Sequence, residues 1–315
     1  MMKRQDLPTV EAEIAQELSG HRGSIYVMTI DETESQLFSG GDDGILAKWS
    51  LHDSAPEGTG ILQTDRGIYA LFQLPNQPIL CVGTSDGNIY LVDLDTHQLI
   101  HTFRHLDAAV YGFFWEPELN WLCSLHGGGH IGAIEMPSKQ SVGIFRLSTQ
   151  HLRSCLSIPG TSEWLIGSSD HHIYRWKVGE TAATQKWKAH DNSVFSMARV
   201  PATGQLLTGG RDAHLNLWEL SEPPTRLHHI PAHNFTINDL CFSPSGEYFA
   251  SGSRDKTIKL WRTDDLALIK VIDAARNQGH THSVNRVIWL SSDKSVLSCS
   301  DDRRIIRWKL TIQEA

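Results

Sequence analysis

The chain has 315 residues, of which 40% are hydrophobic and 20% charged, a composition typical of globular proteins that excludes fibrous and disordered chains. No apolar stretch approaches the ~18 residues that a membrane helix needs. Because 28 lysines and arginines face 36 acidic residues, for a net charge of -8, we expect neither membrane association nor direct nucleic-acid binding.

The cysteines and the N-terminus indicate a cellular compartment. The five cysteines are odd in number, widely spaced and set in apolar runs. This pattern is typical of small core residues in a protein that stays in a reducing environment. The basic residues near the N-terminus are followed by Glu11, Glu13 and Glu17 rather than by an apolar region, so no secretion signal is predicted. The expected location is the cytoplasm.

The first predicted element is a strand from Val10 to Leu18, and after it one sequence motif recurs seven times. In five copies the motif ends in a tryptophan that is preceded, six residues earlier, by an aspartate. The final residues of the seven copies lie 42 to 47 residues apart and are Trp49, Val92, Ile134, Trp176, Trp218, Trp261 and Trp308. A period of ~40–45 residues is that of a four-stranded propeller blade.

Each repeat contains short alternating apolar runs between turn residues, which predicts strands. In the sixth repeat the predicted strands are Ile237 to Phe242, Tyr248 to Ser251, Thr257 to Trp261 and Leu266 to Ile272. We therefore predict an all-β fold, a single closed seven-bladed β-propeller with four antiparallel strands per blade. The predicted blades, within one domain of residues 1–315, are residues 20–62, 63–105, 106–148, 149–189, 190–232, 233–272 and 273–315.

The ends of the chain predict how the ring closes. The seventh repeat stops after its third strand, so the strand at residues 10–18 should complete the last blade as its fourth strand. This closure removes an open sheet edge, which would otherwise pair with other chains. Loss of residues 1–18 should therefore be severely destabilising.

Two further residues recur at fixed positions. A histidine precedes the first strand, and a serine or threonine stands ten residues before the tryptophan. Four blades hold the complete set: His21, Ser39, Asp43 and Trp49; His190, Thr208, Asp212 and Trp218; His233, Ser251, Asp255 and Trp261; His280, Ser298, Asp302 and Trp308. A catalytic triad is needed once, whereas this set recurs four times. The recurrence favours structural hydrogen-bond networks over catalysis.

These motifs resemble the tryptophan-aspartate (WD) repeat family of β-propellers, whose blades carry a Gly-His, a turn aspartate and a terminal tryptophan in this order. The resemblance covers essentially the whole chain. It implies that the aspartate bonds the histidine, the histidine the hydroxyl, and the hydroxyl the indole. It is a weak guide to function, because widely reused folds host many functions.

Blades two to four depart from the complete pattern. Blade two has Thr64 in the histidine position, and blade three has Leu106 and Gly128 and should lack the network altogether. Blade four keeps His151 in the histidine position but has Ile166 in place of the hydroxyl. We expect apolar packing to hold these blades and the arc that they form to be the looser part of the ring.

The resemblance also implies a binding surface, because this family commonly uses the top face, which carries the loops between blades. The residues that follow the start of each first strand should lie there, and they are Tyr26, Tyr69, Tyr111, Leu156, Phe195, Asn238 and Asn285. Arg211 and Arg254 precede turn aspartates on the side opposite the tyrosines. Aromatic residues and arginine dominate interface hot spots, so we expect a short peptide with an apolar anchor and an acidic group. The tyrosines could instead be half-buried packing residues between blades.

We predict a non-catalytic platform that binds a protein or peptide partner on the top face, either as a monomeric ring or as a subunit of a hetero-complex. No cofactor and no metal are expected, because the histidines lack cysteine or carboxylate partners at ligand spacing. One alternative is a structural subunit that uses blade edges and bottom loops. A less favoured alternative is a propeller-type hydrolase with a metal in the central channel.

Overall fold

The structure is a computed structural model that describes residues 7–53, 56–291 and 294–313. Within these ranges the chain forms seven four-stranded antiparallel sheets, which are the seven blades of a β-propeller, as the repeat predicts. Blades one to three contain strands β2 to β13: Ile25–Ile30, Gln36–Gly41, Ile45–Ser50 and Thr59–Gln63; Ile68–Gln73, Ile79–Thr84, Asn88–Asp93 and Leu99–Arg104; Val110–Glu116, Trp121–His126, His130–Glu135 and Gln140–Arg146. Blades four to six contain strands β14 to β25: Leu152–Ser157, Glu163–Ser168, His172–Lys177 and Gln185–Lys188; Val194–Arg199, Leu206–Gly210, His214–Glu219 and Thr225–Pro231; Ile237–Phe242, Tyr248–Ser253, Ile258–Arg262 and Leu268–Ile272.

Blade seven joins the two ends of the chain. Its first three strands are β26 (Val284–Trp289), β27 (Ser295–Ser300) and β28 (Arg304–Gln313), and its fourth is the N-terminal strand β1 (Thr9–Ser19). Strand β1 runs antiparallel to β28 along its whole length. The N-terminal strand therefore completes the last blade, as predicted from the missing fourth strand of the seventh repeat.

The first strand of each blade lies innermost. These strands contact those of the neighbouring blades, and β2 contacts β26, so the ring is closed around a central channel. Each first strand has a register shift after its first residue, as between Ile25 and Val27. A β-bulge of this kind bends the strand and redirects a side chain, which places the second residue of each first strand at the channel.

The hydrophobic core is divided among the blade interfaces. The buried apolar residues in the described ranges form seven clusters, and each cluster lies between two neighbouring blades. Trp49, Trp176 and Trp308 are among the largest fully buried side chains. Because each sheet buries both faces against its neighbours, ring closure is itself a source of stability.

The turn after the second strand has a residue with positive φ at one fixed position in every blade. The residue that follows the turn position of the aspartate has positive φ in all seven blades, and it is glycine in the first three. At Gly87, with φ +95°, an added Cβ would lie 2.0 Å from the backbone oxygen of Leu106. The one α-helix of the described residues is the single turn α1 (Ala274–Asn277), in the longer connection before blade seven.

Candidate functional site

Blade six shows the geometry of the recurring polar set. The Nδ1 of His233 lies 2.9 Å from an oxygen of Asp255, its Nε2 lies 2.7 Å from the Ser251 hydroxyl, and the Trp261 indole donates to that hydroxyl at 2.9 Å. The same three contacts occur in blades one, five and seven. Each set therefore ties the loop between two blades to the turn and the third strand.

These networks hold their aspartates ionised. Burial alone would raise the pKa of Asp255, but hydrogen bonds and charge from His233, together with further hydrogen bonds from Thr257 and Asn234, lower that pKa well below its usual value. In blade five the corresponding interactions lower the pKa of Asp212 to about 2. The His233 and Ser251 side chains are buried, as expected of groups that rigidify the fold rather than react with a substrate.

Blade three, which is expected to lack the recurring network, has a smaller buried polar network of a different kind. The Nε2 of His126 lies 2.8 Å from the Ser124 hydroxyl, and its Nδ1 lies 3.1 Å from the backbone oxygen of Ala108. His126 belongs to the second strand of the blade, whereas the histidines of the complete sets belong to the loops before the first strands. A histidine from a different element thus occupies the interior of this blade.

Blade four has its first strand three residues earlier than the sequence prediction. The strand begins at Leu152, and Leu152 stands opposite Ser168 as Ile25 stands opposite Gly41 in blade one. Ser148, not His151, therefore takes the histidine position, and its hydroxyl donates to Asp170 at 2.8 Å. The Nδ1 of His151 instead accepts a long hydrogen bond of 3.4 Å from the Gly128 amide.

The same shift corrects the predicted top-face residue of blade four from Leu156 to Arg153. Each of the seven blades then contributes the second residue of its first strand to one ring, which surrounds a cavity of about 290 Å³ at the mouth of the central channel. The members of this mouth ring are Tyr26, Tyr69, Tyr111, Arg153, Phe195, Asn238 and Asn285. Arg286, the neighbour of Asn285, also lines the cavity.

The three tyrosines of the mouth ring form a continuous arc. The rings of Tyr26 and Tyr69 meet edge to face at 5.2 Å between centroids, and those of Tyr69 and Tyr111 stack at 6.0 Å. All three side chains are half-buried and line the cavity, so they pack against one another and remain accessible. Burial, together with the charge of Asp42, raises the pKa of Tyr26 to about 12, which keeps its hydroxyl neutral at physiological pH.

Arg153 extends this arc. Its guanidinium carbon lies 4.1 Å from the centroid of the Tyr111 ring and 5.1 Å from that of Phe195. Both distances are within the range of cation–π attraction. Its Nε donates to the Ser169 hydroxyl at 3.1 Å, so two aromatic rings and one hydroxyl hold the guanidinium.

The mouth-ring asparagines of blades six and seven make hydrogen bonds between neighbouring blades. Asn238 donates to the backbone oxygen of Val284, and Asn285 donates to that of Ile25 and to Asp301, each at 2.8 Å. These two side chains link blade six to seven and blade seven to one. Their position in the mouth ring is therefore partly structural.

Arg286 is neutralised within the channel. Its guanidinium lies 3.2 Å from Asp239, and the Val287 amide donates to the same carboxylate at 3.0 Å. Burial raises the pKa of Asp239, while the charge of Arg286 opposes that increase. In this ion pair, the carboxylate of Asp239 balances the positive charge of Arg286.

Arg211, Arg254 and Phe235 lie outside the cavity lining. The two arginines are exposed, next to the turn aspartates of blades five and six. Phe235, in the loop before blade six, is 60% exposed, more than any other large apolar side chain of the described residues. It was not predicted as a site residue, because a single loop phenylalanine has no periodic signal.

In the described part of the chain, no group of three or more histidine, cysteine, aspartate or glutamate side chains could hold a metal ion. No helix in those residues has the length and apolar character to cross a membrane.

The fold and the mouth ring define the class of protein. It is a closed seven-bladed β-propeller whose central opening is surrounded by a ring of residues rich in aromatic side chains. The family model for the WD domain, G-beta repeat, matches residues 12–50, 182–219, 224–262 and 274–309. The chain is thus a WD-repeat β-propeller, and the resemblance seen in the sequence is confirmed. A solved structure of the WD40 β-propeller domain of Doa1 has the same fold, with a TM-score of 0.81 at 16% identity over 95% of this chain and 97% of that one.

Three longer proteins are similar in sequence. They are the striatin homolog of Dictyostelium discoideum, 21% identical over 80% of this chain; protein tipD of the same organism, 25% over 92%; and protein groucho of Drosophila melanogaster, 24% over 90%. The chain covers 35%, 48% and 38% of their respective lengths. WD-repeat propellers are generally non-catalytic scaffolds for protein interaction.

Proposed function

We propose that this propeller is a non-catalytic interaction platform that binds a peptide segment of a protein partner at the mouth of its central channel. The observation that carries the proposal is the mouth ring, in which every blade contributes one side chain to a single accessible cavity. Tyrosine, phenylalanine and arginine make up five of its seven members, and these residue types provide large rigid contact surfaces.

The chemistry of the other polar residues supports binding over catalysis. The four histidine sets are internal hydrogen-bond networks with buried hydroxyls, so their serines and threonine are unavailable as nucleophiles. All five cysteines are free, which suits a reducing compartment, and we extend the proposal to a cytoplasmic location.

A second candidate function is that of a structural subunit held by its outer strands. Exposed apolar side chains on the fourth strands favour it: Leu99, Val142, Ile144, Leu227 and Leu268. Val142 and Ile144 share one strand, Gln140–Arg146, which carries no charged side chain before Arg146. Such an edge presents backbone groups with which another chain can pair.

One comparison separates the two functions. Wild-type protein, a Tyr26→Ala/Tyr69→Ala/Tyr111→Ala variant and a Val142→Ser/Ile144→Ser variant are used as baits in lysate of the source organism, after circular dichroism and thermal melting show that each is folded. The proposal expects partners to be lost with the tyrosine variant and kept with the strand variant. The opposite result would favour the structural-subunit function, and partners kept by both variants would contradict binding at the mouth.

A further inference from the structure

We propose that the mouth of the channel selects its partner segment through an anionic side chain that binds Arg153. This inference rests on the proposed function, because it assigns the chemistry of the group that enters the same cavity. The ligand class is a peptide whose carboxylate or phosphoryl group lies next to an apolar residue.

The hydrogen-bond inventory of Arg153 is the first support. A guanidinium has five N–H donors, and the partners of Arg153 in the described residues are neutral hydroxyls: Ser169, 3.1 Å from Nε, and Tyr111. The four N–H groups of its two terminal nitrogens belong to a side chain that lines the cavity. They form the planar fork that matches a carboxylate or phosphoryl group in bidentate fashion.

The charge balance of the mouth is the second support. Asp239 is paired with Arg286, and the carboxylates of Asp42 and Asp301 lie near Tyr26 in blades one and seven, on the opposite side of the mouth from Arg153. Among the described residues, no carboxylate lies within ion-pair distance of Arg153, so it is the cation of the cavity lining without a counter-ion. An anionic ligand would provide that counter-ion in a partly desolvated site, where charge-assisted hydrogen bonds are strong.

Preorganisation is the third support. Contact with the rings of Tyr111 and Phe195 restricts the guanidinium, and the hydrogen bond from Nε to Ser169 fixes its orientation. A ligand therefore does not have to order this side chain, which reduces the entropy cost of binding. Arg211 of blade five and Arg254 of blade six are exposed and would attract an anion from a distance. Neither is held between aromatic rings as Arg153 is.

The surroundings of Arg153 favour a peptide over a small free anion. The tyrosine arc continues directly from Arg153, and its half-buried rings line the same cavity, where they offer apolar contact to the residue beside the anionic group. A small anion would use the guanidinium and leave this aromatic surface uncovered. A peptide with an acidic and an apolar side chain in succession would use both.

The experiment is a binding assay with synthetic peptides that share apolar flanking residues and differ at one central position. The central residue is aspartate, glutamate, phosphoserine, asparagine or lysine, and binding is measured by fluorescence anisotropy. The proteins are the wild type, Arg153→Met, Arg153→Glu and the control Arg226→Met. Arg226 also lies over an aromatic ring, Trp218 at 5.9 Å, but on the outermost strand of blade five.

The wild type should bind acidic or phosphorylated peptides at least about tenfold more tightly than the asparagine peptide. Arg153→Met should remove this preference, Arg226→Met should keep it, and Arg153→Glu should favour the lysine peptide. The reversal is decisive, because a merely structural arginine would not change the sign of the preference. Comparison of the phosphoserine with the aspartate and glutamate peptides identifies the source of the anion.

Other outcomes overturn the inference in distinguishable ways. Equal binding of the asparagine and acidic peptides would overturn the anion selectivity and leave the mouth as a peptide site. Acidic preference that persists in Arg153→Met would overturn the role of Arg153. If no peptide binds the wild type, the proposed peptide function fails and the inference fails with it.

Discussion

The Ser148 hydroxyl donates a hydrogen bond of 2.8 Å to Asp170, at the position where four other blades join histidine to aspartate. The Tyr174 hydroxyl bonds the same carboxylate. Ser148 therefore marks the true start of blade four, and it follows that Arg153, not Leu156, is the mouth-ring residue of that blade.

Substitution at these positions checks the assignment. Ser148→Ala should lower the free energy of unfolding by about 1–2 kcal/mol, because it removes a hydrogen bond to a carboxylate at a buried position. His151→Ala should cost less than about 0.5 kcal/mol, since its one hydrogen bond is long. Urea denaturation of both variants measures the difference, and a larger loss for His151→Ala would contradict the assignment.

The complete networks should contribute strongly to stability. His233→Ala should lower the free energy of unfolding by roughly 3 kcal/mol, because it leaves Asp255 without its histidine and Ser251 with fewer partners in a buried site. The matched control is His228→Ala, on the exposed face of an outer strand, for which little change is expected. Chemical denaturation gives both values, and similar losses for the two variants would remove the structural role from the network.

His126 should make stability depend on pH. Burial lowers its pKa to about 4, the hydrogen bond to Ala108 opposes that decrease, and the charges of His105 and His130 add to it. The folded protein thus binds this proton less readily than the unfolded chain, whose histidine titrates near about 6.5. The contribution is complete above about pH 6.5 and is lost as pH falls toward about 4, on the order of 3 kcal/mol in total.

The test of this pH dependence is a comparison between variants. Unfolding free energies are measured from pH 7.5 to pH 4 for the wild type, His126→Gln and the exposed control His228→Gln. The slope should be shallower in His126→Gln and unchanged in His228→Gln. Parallel slopes for all three proteins would show that His126 is not a source of the acid sensitivity.

The N-terminal strand should be necessary for the closed ring. Leu18, on β1, is buried between blades seven and one, so Leu18→Ala should cost about 2–4 kcal/mol. Glu11, exposed on the same strand, serves as control, and Glu11→Ala should be nearly neutral. Deletion of residues 1–18 should abolish cooperative melting and expose β28 as an edge, visible as aggregation in size-exclusion chromatography. A monomeric, cooperatively melting deletion variant would contradict this role.

Blades two to four should exchange their amide hydrogens faster than the other four blades. In blade two, Thr64 bonds only backbone oxygens and Val92 replaces the tryptophan, while blades three and four use shorter polar networks. Without a hydrogen-bond chain that runs from the turn aspartate through histidine and a hydroxyl to an indole, these blades should open locally at lower free energy. Hydrogen exchange with mass spectrometry measures this by peptide, and uniform protection around the ring would contradict it.

The sequence by itself determined the architecture, because the period, the turn aspartates and the alternation of apolar residues are local features that recur in every blade. It also indicated the tyrosines of the mouth, since Ile25, Ile68 and Val110 mark the starts of their strands clearly. Blade four differs, because His151 and Cys155 imitate the spacing of a histidine and a strand start. The distance of 18 residues from strand start to turn aspartate, shared by Ile25 and Asp43 and by Leu152 and Asp170, was the signal that could have corrected it.

Only the tertiary structure decided how the side chains at the central cavity contact one another. Arg153, Tyr111 and Phe195 come from three blades, and their contact depends on ring closure, which no local pattern encodes. The same holds for charge: Arg286 is neutralised by Asp239 of the neighbouring blade, whereas Arg153 is left without a carboxylate among the described residues. Sequence periodicity fixes the blades because it reflects short-range backbone geometry, but the charge and shape of the mouth arise from contacts between residues about 40 or more positions apart.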